Sequence, residues 1–246
     1  MALVKPDWIF LDLDNTLWDF EANAEEALGE LFHRHHLHVK SSFKVHEFIA
    51  TYKQINAAYW KRYERGEIDK DLLRTGRFTD TFIEMGLPKE EHPENVWQEY
   101  LDICPVMTRL LPWAMGFLDL IQEHCRMAII TNGFAKTQQL KIEHSGIAPY
   151  AAFMLTSEET GLAKPDIGIF NLALSKAQIS ASQAWYIGDT LDTDVRGALN
   201  AQIPVIWLNH EGAAVPTEVQ SHACFLGSFG SLVEVGAFIS AQFDRV

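Results

Sequence analysis

The sequence predicts an α/β protein, an open, doubly wound, Rossmann-like parallel sheet interrupted by an inserted α-helical domain. Three observations predict it. From residue 107 onward, short apolar runs alternate with amphipathic helical stretches, the pattern of a parallel sheet covered on both faces. A further apolar run stands alone at the start, Trp8-Ile9-Phe10-Leu11, and a lone strand needs a sheet to join. Between the two lie residues 20–106, with helical periodicity and no convincing strand. The opening strand therefore belongs with the second half. The expected division is a sheet domain of residues 1–19 and 107–246, and a helical domain of residues 20–106.

Each element follows from its residues. Ala24, Ala27, Leu28, Leu31 and Phe32 have the spacing of one helix face. Val45, Phe48, Ile49, Tyr52, Ile55 and Tyr59 repeat it in a second helix, which Gly66 stops. Asp69 caps a third helix carrying Leu72, Leu73, Phe78, Phe82 and Ile83, and Gly86-Leu87-Pro88 ends it. A fourth helix follows Pro93. In the second half, helices are expected over 114–123, 136–144, 167–178, 192–201 and 231–241. Strands are expected over 127–130, 153–155, 184–187 and 204–208, with Phe225-Leu226 as a last one.

Composition narrows the function. The chain has 246 residues and a formal net charge of −13, which speaks against nucleic acid and anionic membrane as partners. Cys104, Cys125 and Cys224 are scattered, without the pattern of a disulfide framework or zinc site, and point to a reducing cytoplasm. The first residues lack the long apolar core of a secretory leader, and no stretch approaches a membrane span. His33, His35, His36 and His38 sit at a helix end without fixed ligand spacing and read as a solvated terminus.

In open α/β sheets, ligands bind beyond the carboxyl ends of the strands. Here the apolar strands end in Asp12-Leu13-Asp14, in Thr131-Asn132-Gly133 and in Gly188-Asp189, and Lys164 precedes a helix in a Lys-Pro step. Asp12 and Asp14 fall on one face of an extended strand, about 6.5–7 Å apart. That separation suits two acids working on opposite sides of a bound group. Asp12 and Asp189 would meet at the sheet edge, with Asp192 and Asp194 nearby. Two carboxylates ~4 Å apart repel by about 4 kcal/mol at an effective dielectric near 20, so one is protonated or a cation lies between them. A hard, all-oxygen site with few protein ligands suits Mg²⁺, which commonly binds together with phosphate. Thr131 offers a hydroxyl, Asn132 and Gly133 offer backbone amides, and Lys164 offers a point charge for an anionic phosphoryl group.

These four segments resemble the motifs of the haloacid dehalogenase-like hydrolase (HAD) superfamily. Asp12-Leu13-Asp14-Asn15-Thr16-Leu17 resembles the first motif, Thr131-Asn132-Gly133 the second, Lys164-Pro165 the third and Gly188-Asp189-Thr190-Leu191-Asp192-Thr193-Asp194 the fourth. The helical insert is similar to the family's C1-type cap domain. The resemblance implies that Asp12 is the nucleophile and forms an aspartyl-phosphate, and that Asp14 is the acid for the leaving alkoxide and then the base for water. It implies Mg²⁺ held by Asp12, the Asp14 carbonyl oxygen and Asp189, with Asp194 behind these ligands or in contact through water. The share of Asp192 in that site stays open. Thr131 and Lys164 would bind phosphoryl oxygens.

Within that superfamily Asp14 separates the chemistries. A halide leaves without a proton, whereas the alkoxide of a phosphate ester needs one, so a phosphomonoester hydrolase is implied. The stretch Asp12–Phe20 is similar to bacterial nucleotidases acting on pyrimidine 5′-monophosphates, which implies a small phosphorylated metabolite as partner. Trp18, Phe20, Tyr59, Trp60 and Tyr63 either stack on a base or pack as core. Alternatives are a sugar-phosphate or phosphoglycolate phosphatase, a phosphomutase or, outside enzymes, a receiver-like phospho-signalling module. Monomer and dimer are both open.

Overall fold

The structure is a computed structural model and describes residues 5–243. The expectation about a leader falls partly on residues 1–4, outside the described residues. The chain divides into two compact units, Met1–Phe20 with Thr108–Val246, and Glu21–Met107.

The first unit begins with β1 (Trp8–Leu11), entirely buried. The chain then passes into the second unit through α1 (Phe20–Arg34), followed by α2 (Leu37–Lys40), α3 (Val45–Glu64), α4 (Lys70–Glu84) and α5 (Val96–Ile103). The four long helices lie where the periodicity places them. The short α2 was not expected; it is a single turn entered through His36 in the left-handed region. Asp69 caps α4 by accepting from the Leu72 amide at 2.8 Å. Gly66, with φ near 69°, lies just past the α3 terminus, a conformation glycine adopts without penalty.

Aromatic rings fill the interior of this helical unit. Phe32, Phe48, Phe78 and Phe82 are buried, and Tyr52 packs on Phe78 with ring centroids 4.7 Å apart. Arg77 is buried among Tyr52, Phe78 and Tyr100 and donates to Asn56 Oδ1 at 2.7 Å. His33, His36 and His38 are exposed, in keeping with a solvated helix end, whereas His35 is half-buried with its Nε2 3.1 Å from Glu99 Oε1.

Back in the first unit, the elements are α6 (Ala114–Gln122), β2 (Arg126–Thr131), α7 (Ala135–His144), β3 (Ala151–Thr156), α8 (Ser157–Thr160) and α9 (Ile167–Ala177). There follow β4 (Ala184–Gly188), α10 (Arg196–Asn200), β5 (Val205–Leu208), α11 (Thr217–Gln220), β6 (Phe225–Phe229) and α12 (Leu232–Phe243). The helix expected over 192–201 is split: Leu191–Val195 forms a wider π-helical turn that runs into α10. Among the described residues no helix is long and apolar enough to cross a membrane.

The six strands form one parallel sheet in the order β3-β2-β1-β4-β5-β6. Alternate residues of each strand point to opposite faces. Trp8, Phe10, Ala128, Ile130, Tyr186 and Val205 pack with Ile169 and Phe170 of α9 and Ala198 of α10. On the other face Trp185 stacks near Phe238 and Phe243 of α12. Strands buried on both faces need continuous apolar sequence, which is why these runs lack alternation.

The order reverses between β1 and β4, because the chain builds outward to β3 and then returns to the far side of β1. A crevice at the carboxyl ends of β1 and β4 is where such sheets bind ligands. The two strands are aligned, Leu11 opposite Ile187, so Asp12 and Asp189 both emerge at that point.

Candidate active site

Asp12 follows the last residue of β1 and stays fixed to the sheet, its amide donating to Ile187 O at 3.0 Å. It is buried, as are Lys164 and Asp194. Beyond it the chain turns tightly. The amides of Leu17 and Trp18 both donate to Leu13 O, and Asn15 adopts a left-handed φ of 56°, which Asn tolerates better than most residues. The turn buries Leu13 and leaves Asp12 and Asp14 on separate sets of partners.

The first set is a charge cluster. Lys164 Nζ donates to Asp12 Oδ1 at 2.6 Å, to Asp194 Oδ1 at 2.6 Å and to Tyr186 OH at 3.0 Å. Tyr186 OH donates to Asp194 Oδ1 at 2.8 Å, and the Thr190 amide donates to Asp194 Oδ2 at 3.0 Å. Thr16 Oγ1 lies 3.4 Å from both Asp12 Oδ2 and Asp189 Oδ1. Trp207 Nε1 donates to the Asp189 carbonyl at 2.7 Å and fixes that backbone. A Cβ at Gly188 would come within 2.5 Å of Asp194 Cγ, so only glycine lets Asp194 approach β4 this closely.

Asp12, Asp189 and Asp194 each place a carboxylate oxygen within 4.8 Å of the others. Three carboxylates against one ammonium leave the cluster two negative charges in excess when all are ionised. Burial, opposed by Lys164 and reinforced by Asp194 and Asp14, pushes Asp12 up to about 7. Burial, then the charges of Asp12 and Asp194, pushes Asp189 up to about 8. A divalent cation would remove both penalties, and an all-oxygen donor set fits a hard ion such as Mg²⁺. Asp192 stands apart from the cluster, its side chain exposed and paired with Arg196 at 3.2 Å on the protein surface. Of the two acids, the one buried beside Asp12 and Asp189 is Asp194.

The second set surrounds Asp14. Its carboxylate is outside the three-acid cluster and accepts from Gln138 Nε2 at 2.9 Å and from Lys141 Nζ at 2.6 Å. Gln138 Nε2 also donates to Thr131 Oγ1 at 2.6 Å, and the Gly133 amide donates to the same hydroxyl at 3.1 Å. Asn132 holds the backbone of Lys164 at both ends, its Nδ2 donating to Lys164 O at 2.9 Å and its Oδ1 accepting from Lys164 N at 2.7 Å. The Lys164–Pro165 peptide bond is cis.

The residues expected for catalysis, phosphate binding and metal binding, Asp12, Asp14, Thr131, Asn132, Gly133, Lys164, Asp189 and Asp194, thus gather at the carboxyl ends of β1, β2 and β4. Sequence reasoning missed Gln138, Lys141 and Tyr186. Lys141 carried a signal in hindsight, a charged residue on the face of α7 that also bears Gln138 and Ile142, all buried. Among the aromatics, Trp18 and Tyr59 are buried, while Trp60 and Tyr63 are half-buried and meet edge to face.

Comparison with known proteins finds similar chains. A family model described as haloacid dehalogenase-like hydrolase matches residues 6–202. The chain is 32% identical over 207 residues to pyrimidine 5′-nucleotidase YjjG of Escherichia coli, covering 84% of this chain and 87% of that protein. It is 29% identical over 215 residues to pyrimidine 5′-nucleotidase PynA of Streptococcus pneumoniae, covering 87% and 88%. The crystal structure of the HAD-hydrolase YfnB from Bacillus subtilis, bound to magnesium, superposes with a TM-score of 0.82 at 25% identity over 96% of this chain and 99% of that one.

Proposed function

The chain belongs to the haloacid dehalogenase-like hydrolase family, and on that premise we propose that it is a Mg²⁺-dependent phosphomonoester hydrolase, a 5′-nucleotidase acting on pyrimidine nucleoside monophosphates. Residues 1–19 and 107–246 are assigned as the catalytic domain and residues 20–106 as the cap domain. The observation that carries the reading is the presence of two buried or half-buried acids on one strand end with opposite surroundings. Asp12 lies in the Lys164–Asp189–Asp194 cluster, and Asp14 accepts from Gln138 and Lys141.

Asp12 is the nucleophile. Among the described residues its Oδ2 has only the weak 3.4 Å contact from Thr16, while Oδ1 is held by Lys164. Attack by a carboxylate oxygen on phosphorus forms the aspartyl-phosphate and expels the nucleoside alkoxide. Asp12 and Lys164, Thr131 and the backbone of Asn132 and Gly133 surround the transferring group, and the ammonium offsets charge on its oxygens. Asp14 protonates the leaving 5′ oxygen and then takes a proton from the water that attacks the phosphoenzyme. Asp12, Asp189 and the Asp14 carbonyl would hold Mg²⁺, with Asp194 behind these ligands or in contact through water, and the ion would supply charge neutralisation at the phosphoryl oxygens. Asp14 has no task in carbon–halogen cleavage, where halide leaves unprotonated, so its presence favours an ester substrate. The pyrimidine preference rests on the relatives' substrates, not on a base-binding contact.

Phosphate release with Mg²⁺ tests this across pyrimidine and purine 5′-monophosphates, sugar phosphates, phosphoglycolate and p-nitrophenyl phosphate. Preference for pyrimidine monophosphates supports it. Equal or better turnover of sugar phosphates would replace the substrate while keeping the hydrolase, and no release from any ester would remove the hydrolase as well.

A further inference from the structure

We propose that Gln138 and Lys141 of α7 are a positioning pair for Asp14, locking its carboxylate toward the leaving group and coupling it to the phosphate-binding hydroxyl of Thr131. The proposal rests on the phosphatase reading for its catalytic meaning, but its geometry can be tested without turnover.

The two residues are three positions apart, so they share one face of α7. Each takes a different oxygen of Asp14: Gln138 Nε2 donates to Oδ2 at 2.9 Å and Lys141 Nζ donates to Oδ1 at 2.6 Å. With both oxygens held, the carboxylate cannot rotate about its last bond without breaking a charge-assisted bond. The tethers are themselves fixed. Lys141 is 4% exposed, and its ammonium lies 4.4 Å from the Trp18 ring centroid and 5.5 Å from that of Phe20. Lysine is rarely buried to this extent, and a lysine chosen only for packing would not need its charge there.

Gln138 is wholly buried, and its Nε2 is shared between Asp14 and Thr131 Oγ1. Among the described residues its Oε1 has no hydrogen-bond partner. A buried amide left half-satisfied is costly, which indicates that the orientation of its donor end matters more here than complete bonding. Gly133 makes room for it, since a Cβ there would run into the Gln138 amide. One side chain therefore links the group that would hold a phosphoryl oxygen to the group that would protonate the neighbouring ester oxygen. Proton transfer requires hydrogen-bond reach, and small misplacements of a reacting group reduce rate steeply.

The test compares K141M, which keeps an unbranched side chain one atom shorter and removes the charge, with K141R and with Q138M. Both uncharged variants should lower kcat/KM, which reports only the steps up to release of the leaving group, by about 30-fold or more for a nucleoside monophosphate, yet by less than about 3-fold for p-nitrophenyl phosphate, whose phenolate leaves without an acid. K141R should recover most of the loss. In a D14N background, K141M should add little further loss, because the pair would act through Asp14. Equal losses on both esters, or full additivity with D14N, would overturn the proposal. A crystal structure of K141M reads it independently of activity: a displaced or disordered Asp14 carboxylate is expected, and an unmoved one would overturn it. If the wild-type protein hydrolyses no ester, the phosphatase reading fails while this structural readout still decides the tether. Should K141M not fold, Q138M carries the same comparison.

Discussion

Lys164 Nζ lies 2.6 Å from Asp12 Oδ1, and both groups are buried. The same ammonium is 2.6 Å from Asp194, so a single cation holds two acids that would otherwise repel. Removing it in K164M leaves buried carboxylates without their counter-charge. Breaking such a pair from one side is expected to destabilise the fold by about 3–5 kcal/mol at pH 8 in the absence of metal. Urea unfolding checks the magnitude. Phosphatase activity should also fall by at least about 100-fold, through the loss of charge at the phosphoryl oxygens.

The acid cluster makes stability depend on pH in a definite direction. Asp12 and Asp189 are pushed up to about 7 and about 8, above their ordinary value of 3.8. A carboxyl raised on folding contributes stability that is fully present below its unfolded value and is lost as pH rises through the folded one. Metal-free protein should therefore lose stability between about pH 4 and pH 8 from these groups. A cation competes with those protons, so the rise in Tm on adding Mg²⁺ should be small at pH 6 and larger at pH 8.5. Thermal unfolding in chelator and in Mg²⁺ measures it. In D189N the Mg²⁺-induced shift should shrink at every pH; an unchanged shift would place the ion elsewhere.

Much of this was legible in the sequence because the relevant signals are short-range. Strand runs ending in Asp, Thr-Asn-Gly and Gly-Asp mark carboxyl ends directly, and the parallel sheet brings β1, β2 and β4 together. Helical periodicity gave α1, α3, α4 and α5, since each buries one face. What was missed depends on contacts between distant residues. Lys141 reads in sequence as one more polar position of a weakly amphipathic helix, and only the turn that projects Asp14, Trp18 and Phe20 gives it partners. Tyr186 reads as a core aromatic, yet its hydroxyl joins Lys164 and Asp194. The π-helical turn at Leu191–Val195 separates exposed Asp192 from buried Asp194, a distinction that linear spacing does not make.

Gly188→Ala should act on the site and not only on packing. The added methyl would meet Asp194 at about 2.5 Å, and overpacking of this kind is expected to cost about 1–3 kcal/mol. If Asp194 is displaced to relieve it, Lys164 loses a partner and Mg²⁺ affinity falls. Calorimetric titration with Mg²⁺, alongside urea unfolding, separates the two effects: weaker ion binding is expected together with the stability loss.

D14N should separate esters by leaving group. Loss of the proton donor is expected to reduce kcat/KM, which reports the step that expels the leaving group, by about 10²–10⁴-fold for nucleoside monophosphates and far less for p-nitrophenyl phosphate. Parallel steady-state kinetics on the two substrates gives the ratio directly, and equal losses would count against an acid role for Asp14.

On the proposed mechanism Asp12 carries the phosphoryl group. The most direct measurement is an acid quench of the wild-type protein during turnover of a nucleoside monophosphate labelled at phosphorus, with Mg²⁺ present. Label should be found on the protein, should be released by hydroxylamine as an acyl phosphate, and should be absent from D12N, which also should not turn over. Hydrolysis at full rate in D12N, or label retained by that variant, would contradict the assignment of Asp12 as nucleophile.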